Sequence, residues 1–126
     1  MPETHRGVVA LAAVFLLLGG HSALAGDPAA GQVVFKAQCA ACHSVTPGKN
    51  LTGPSLAGII GRKTGTIEGF RYSAANKAAA LTWDEAHLDP YLKSPKTVIP
   101  GTTMTYAGLK DDTKRADLIA YLSTLH

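Results

Sequence analysis

The segment Cys39-Ala40-Ala41-Cys42-His43 constrains this chain more than any other stretch of it. It contains both cysteines of the sequence, three positions apart, with a histidine directly after the second. A thiol–disulfide redox pair of this spacing belongs with a βαβ pattern, and no strand alternation long enough for a sheet occurs here. A structural zinc site needs four protein ligands, and no second Cys or His pair lies at ligand spacing. A structural disulfide over so short a loop would constrain little. Covalent haem attachment fits the residue types. Two cysteines three apart at a helix end can reach the two vinyl groups of one porphyrin, and the adjacent histidine is carried beneath the ring to meet the iron. The motif therefore predicts one haem c joined through Cys39 and Cys42, with His43 as an axial ligand.

The first 25 residues are set apart from the fold. Met1 to Arg6 is short and positive, Gly7 to Gly20 carries no charge, and Ala23-Leu24-Ala25 offers small residues at the positions a signal peptidase inspects. This reads as a secretory signal peptide over residues 1–25, cleaved after Ala25. The uninterrupted apolar run is well under the roughly 20 residues that cross a hydrocarbon core, so no permanent membrane anchor is expected. Residues 26–126 remain, enough for one domain of about 100 residues. Secretion implies a bacterial periplasm.

The aromatics of that domain are Phe35, Phe70, Tyr72, Trp83, Tyr91, Tyr106 and Tyr121. That is a thin supply for a protein-only core, and a bulky buried cofactor would close the deficit. The net charge of +3 survives removal of the leader, because Glu3 and Arg6 cancel. A mild positive balance can steer docking onto an acidic partner. The basic residues are scattered and do not interleave with aromatics, which argues against nucleic acid.

Periodicity and caps predict an all-α domain of four to five helices with long loops. Asp27-Pro28 supplies an N-cap and a first-turn proline for a helix reaching Cys39. Residues 44–72 are rich in glycine and proline and read as loop. Ser73 caps a short helix through Ala80. Thr82-Trp83-Asp84-Glu85 matches a capping box, predicting a helix from Thr82 to about Lys93. Pro95 and Pro100 end it, residues 96–110 read as loop, and Asp111 or Asp112 caps a final helix with Ala116, Ile119, Ala120, Leu122 and Leu125 at helical spacing.

Beyond Met1, the chain has a single methionine, Met104, in the loop Ile99-Pro100-Gly101-Thr102-Thr103-Met104. A lone methionine is ordinarily core filler. In a loop able to reach a ring fixed by the first helix, it becomes the candidate second axial ligand. A soft thioether favours Fe(II) and raises the potential, and two filled axial positions leave outer-sphere electron transfer as the reaction. The enzyme reading is a haem peroxidase or a dedicated subunit of a periplasmic dehydrogenase; a peroxidase would need an open iron face and a distal base, which Met104 argues against. His87 lies in the charged run Asp84 to Asp89 and reads as a surface histidine, and His126 stands at the terminus.

With these residues in hand, the chain from Gly31 to Leu125 resembles the mitochondrial cytochrome c and bacterial cytochrome c2 group of class I cytochromes. The segments that carry the resemblance are Cys39 to His43, Thr52-Gly53-Pro54, Gly61 to Gly65, Gly69 to Tyr72, Ala75-Asn76-Lys77, Thr82-Trp83, Tyr91-Leu92, Ile99 to Thr102, Met104, and Ala116 to Leu122. The resemblance implies that Pro54 presents its carbonyl to the other ring nitrogen of His43. It further implies that Arg62, Tyr72 and Trp83 hydrogen-bond the haem propionates, and that Asn76, Tyr91 and Thr102 form a polar network near the Met104 sulfur. Gly31 and Phe35 on the first helix would meet Leu118 and Tyr121 on the last. The implied function is a monomeric one-electron carrier of a respiratory or photosynthetic chain, with a bc1-type donor and an oxidase or reaction centre as acceptor. The sequence departs from the mitochondrial pattern in places. One residue is missing between His43 and Thr52. Gln38, Thr97, Thr103 and Asp111 stand where lysine is common, and Tyr106 replaces a phenylalanine.

Overall fold

The computed structural model describes residues 26–126; the signal peptide expected over residues 1–25 lies outside them. Five helices follow in chain order: α1 Pro28–Gln38, α2 Ala74–Ala78, α3 Glu85–Lys93, α4 Pro95–Val98 and α5 Asp112–Leu122. Among the described residues the only β pairing is an isolated bridge between Lys63 and Thr82. The domain is all-α, as its periodicity implies.

The helix starts are set by side-chain caps. The Asp27 carboxylate accepts from the Ala29 N–H ahead of Pro28, the Ser73 hydroxyl from Asn76 N–H, and Asp111 from Lys114 N–H at 2.9 Å. Each satisfies a donor that the first turn leaves without a partner. The expected capping box at Thr82 does not form. Asp84 is the cap of α3, accepting from His87 N–H at 2.8 Å, because Thr82 and Trp83 are already extended against residues 61–64. Trp83 N–H donates to Arg62 O, Gly61 N–H to Trp83 O, and Thr64 N–H to Leu81 O. A second difference is α4, one turn inside a stretch expected to be loop. Pro95 at its first position makes it possible, since that residue has no N–H to satisfy. The helix expected from Ser73 through Ala80 stops at Ala78, and Ala80 takes a left-handed conformation with φ 53°.

The principal helix pair is α1 against α5. Gly31 makes their close crossing possible: a Cβ there would lie 1.8 Å from the Asp117 carbonyl oxygen and 2.8 Å from Tyr121 Cβ. Phe35 packs on Tyr121 with ring centroids 5.5 Å apart, and Leu118 is fully buried beneath the crossing. The contacts expected of Gly31, Phe35, Leu118 and Tyr121 are thus made.

A buried arginine joins α5 to the rest. The Arg115 side chain, 5 % exposed, donates Nε–H to Asp89 on α3 at 2.6 Å, Nη1–H to the Leu109 carbonyl at 3.0 Å, and Nη2–H to Asp112 at 2.7 Å. Its hydrogen bond also holds the Asp112 carboxyl below the usual carboxylate range. Nothing in the periodicity of α5 marks this residue as interior, because arginine is read as surface unless its partners are known.

Gly31→Ala is expected to lower stability by about 1–2 kcal/mol. Overpacking in a tight contact typically costs ~1–3 kcal/mol, and the neighbour here is backbone that cannot rotate away. The gain in helix propensity, up to ~1 kcal/mol, offsets part of this. Urea unfolding of the haem-loaded protein measures it as a lowered midpoint at unchanged m-value.

Candidate cofactor site

The core side chains form the wall of a cavity. Ile59, Trp83, Leu88, Tyr91, Leu92 and Leu118 are buried members of the hydrophobic cluster, and all of them border a cavity of about 310 Å³. Cys39, Cys42, His43, Pro54, Arg62, Tyr72, Asn76, Thr102 and Met104 border the same cavity. Every candidate named from the sequence therefore converges there, although the set spans residues 39 to 104 and comes from loops as much as helices.

His43 is held from several sides. Past α1 the chain turns tightly, with His43 N–H donating to Cys39 O at 2.9 Å. Gly53 N–H returns to Cys42 O at 2.8 Å, Leu56 N–H to Ser44 O at 2.9 Å, and the buried Ser55 donates its hydroxyl to Thr46 O at 2.7 Å. Asn50 accepts from Ser55 N–H at 3.0 Å. This folded-back loop brings the Pro54 carbonyl to 2.8 Å from His43 Nδ1. Nδ1 must then carry the proton, which leaves Nε2 as the lone-pair nitrogen of a neutral imidazole. Burial lowers the His43 pKa, the Pro54 bond partly opposes this, and the Arg62 charge adds to the lowering. Gly53 is required by proximity: a Cβ there would fall 2.2 Å from His43 Cε1.

Chemistry at the cysteines sorts the alternatives. Burial, with a smaller contribution from Cys42, pushes the Cys39 thiol up to about 11, the reverse of the depressed value on which a thiol–disulfide exchange motif depends. Among the described residues no group of three or more His, Cys, Asp or Glu side chains gathers to hold a metal, which leaves zinc without a donor set.

Around Met104 the polar groups are fewer. The Tyr91 phenol donates to Met104 Sδ at 3.1 Å, and Met104 N–H donates to the Thr102 hydroxyl at 3.2 Å. Burial raises the Tyr91 pKa, with a Thr102 hydrogen bond partly offsetting it, so the phenol stays a donor. Tyr91 also packs on Trp83 with centroids 4.6 Å apart. Asn76 lines the cavity, but its buried Oδ1 has no partner within the protein. Arg62 donates to the carbonyls of Ser55 at 2.7 Å and Ala57 at 2.5 Å, leaving other guanidinium N–H groups free. The Tyr72 hydroxyl accepts from Ile67 N–H at 3.0 Å and keeps its own proton to donate. His87 is absent from the cavity lining; its ring pairs with Asp84 at 2.8 Å with both side chains about half exposed.

Residues 28–126 match the family described as Cytochrome c. The chain belongs to the cytochrome c family. It is 54% identical over 101 residues to the cytochrome c2 of Blastochloris viridis, covering 79% of each chain. To that of Rhodomicrobium vannielii it is 47% identical over 119 residues, 94% of each. With the cytochrome c of Nigella damascena it shares 50% identity over 99 residues, 78% of this chain and 89% of the other. The protein is an electron carrier and not an enzyme, exchanging electrons with redox partners, and it carries one haem c bound covalently through Cys39 and Cys42.

The residues fit that group. Its flat apolar body meets the aliphatic wall, its carboxylates need donors such as Arg62 and Tyr72, and its attachment points are the paired cysteines. Close-packed interiors do not leave an apolar hollow of about 310 Å³ among their core side chains. The cofactor is thus part of the core.

Gly53→Ala is expected to displace the His43 ring and break the bond to Pro54 while leaving the cysteines intact. Haem should still attach, but the absorption spectrum should depart from that of the unsubstituted protein. A spectrum identical in both oxidation states would show that the ring tolerates the added methyl.

Proposed function

We propose that this cytochrome is a periplasmic one-electron shuttle whose iron is held between His43 and Met104, taking electrons from a bc1-type complex and giving them to an oxidase or a photosynthetic reaction centre. The observation that carries the ligand set is the pair of bonds inside one cavity. Pro54 O fixes His43 with Nε2 as its lone pair, and Tyr91 O–H bonds the Met104 sulfur. The haem supplies a reversible Fe(III)/Fe(II) couple.

The polypeptide sets the terms of that couple. Pro54 orients the imidazole and raises its basicity. The Tyr91 hydrogen bond draws electron density from the sulfur, a further push toward the reduced form beyond that of a thioether alone. Arg62, Tyr72 and Trp83 are the donors to the propionates. Asn76, whose Oδ1 lacks a protein partner, joins Thr102 and Tyr91 in a polar network near the Met104 sulfur. Filling both axial positions denies substrates an open site, which suits a carrier. Among the described residues no helix is long and apolar enough to cross a membrane. On this reading the leader is removed and the carrier moves between complexes as a monomer.

Met104→Ala is expected to lower the reduction potential by a sizeable part of the ~0.8 V span that axial ligation covers in haem proteins. It should also convert the ferric protein from low-spin to a form that binds small ligands. The unsubstituted ferric protein should be six-coordinate and low-spin, with a weak near-infrared sulfur-to-iron band that the variant loses. Equal potentials and equal ligand binding in the two proteins would remove Met104 from the iron. Intact mass of protein from its native host should correspond to a chain beginning at Gly26 plus one haem, and retention of residues 1–25 would instead make the carrier a tethered one.

A further inference from the structure

The loop that bears Met104 is anchored at its ends and nearly free between them. At its start Thr102 N–H donates to Ile99 O at 3.1 Å, and at its end Leu109 N–H donates to Leu92 O at 2.8 Å. The far stem is further fixed by Arg115 on Leu109 O and by Gly108, whose φ of +111° and approach to Lys93 O admit no side chain. Among the described residues, 103–108 form no backbone–backbone hydrogen bond. Besides the local bond from Met104 N–H to the Thr102 hydroxyl, two side-chain bonds link this span to the rest of the domain: Tyr91 to the Met104 sulfur, and the Tyr106 hydroxyl to Gln38 Oε1.

The second of these has a particular location. Gln38 is the last residue of α1, directly before Cys39, and Tyr106 is two residues past Met104. The pair borders the cavity and is the one hydrogen bond, among the described residues, between the Met104 loop and the helix that leads into the haem-attachment motif. Its partners are 68 residues apart in sequence. A phenylalanine at 106 or a lysine at 38 would lack the donor or the acceptor, so this contact depends on two of the departures from the mitochondrial pattern acting together.

We propose that Tyr106 and Gln38 form a clasp that keeps the Met104 loop closed over the cavity and so sets how fast an outside ligand can take the place of Met104. The proposal rests on the reading of Met104 as an axial ligand. A thioether is a weak donor, and its residence on the metal is governed by the loop that presents it. A loop lacking backbone bonds over six residues opens with little loss beyond its side-chain contacts. Both residues are positioning residues; neither is placed on the iron.

Imidazole binding to the ferric haem-loaded protein, followed by stopped flow, tests this. At high imidazole the observed rate should reach a plateau equal to the rate at which Met104 departs. Tyr106→Phe and Gln38→Leu should each raise that plateau about threefold, the effect of one partly exposed hydrogen bond. The double variant should be no faster than either single one, since one bond is lost in all three. Gln38→Glu keeps an acceptor and should stay at or below the unsubstituted rate. Unfolding midpoints should barely move, which separates the clasp from general weakening. Unchanged plateaus in both single variants, or multiplied effects in the double one, would overturn the clasp. The Met104→Ala control distinguishes the two levels. If it binds imidazole rapidly while the clasp variants do not differ from the unsubstituted protein, the clasp alone fails. If it binds like the unsubstituted protein, the ligand assignment fails and the clasp falls with it.

Discussion

The structure depends on a core that the polypeptide does not complete alone. Most of the buried apolar residues, Ile59, Trp83, Leu88, Tyr91, Leu92, Leu118 and Leu122, sit in the walls of one cavity, and through Leu118 the α1–α5 crossing faces that cavity as well. The cofactor is therefore structural in the same sense as a central aromatic residue. It allows residues 44–72 to remain loop, because a segment with so little regular structure holds its shape only when wrapped on something rigid. The loop's own bonds, from Asn50, Ser55 and Arg62 to nearby backbone, fix its local turns; the apolar surface they wrap must come from elsewhere.

The two sides of the site are built with different stiffness. His43 lies in the tight turn just past α1 and is fenced by a folded-back loop in which residues 53–56 bond to 42–46, and it is in contact with Gly53 at a distance no other residue allows. Met104 hangs in a loop fixed at its stems. On the proposed ligand set, this asymmetry accords with the chemistry of the donors. A neutral imidazole with an oriented Nδ1–H is a strong, geometrically exacting ligand, and a thioether is a weak one that depends on the chain to hold it in position.

Much of this was legible in the residues, and the reason differs by element. The caps Asp27, Ser73 and Asp111 act through neighbours two or three positions along the chain, so sequence reveals them. The attachment motif is likewise local. Thr82 misled because its alternative partner, Lys63, is distant in sequence: once the extended pairing of 61–64 with 81–83 forms, Thr82 is no longer available to start a helix and Asp84 takes its place. Arg115 was invisible for the same reason. Its partners Asp89 and Leu109 come together only in the fold, and without them an arginine at that position reads as solvated. The Gln38–Tyr106 contact was legible only as two separate departures from a pattern.

Charge at the mouth of the cavity follows a related logic. Besides Cys42, the exposed residues that border it, Gln38, Thr52, Thr103 and Thr105, are all uncharged, and the lysines that give the chain its positive balance are not among the residues lining it. Long-range attraction falls off within a Debye length of about 8–10 Å at physiological salt, so those charges orient an approaching partner before contact and contribute little after it. At contact the rim offers hydroxyls, an amide and the Tyr106 ring, groups that discriminate by shape and hydrogen bonding. Gln38 borders the cavity mouth and its Oε1 accepts from Tyr106, so on the proposed clasp it belongs to both the rim and the closure of the Met104 loop. A partner that competes for that oxygen would loosen the loop at the moment of docking, whereas one that bonds the amide N–H would leave it closed. On the proposed clasp, a partner docking at the cavity mouth would meet the side chain that holds the Met104 loop, a connection that a lysine at this position, having no acceptor, would not provide.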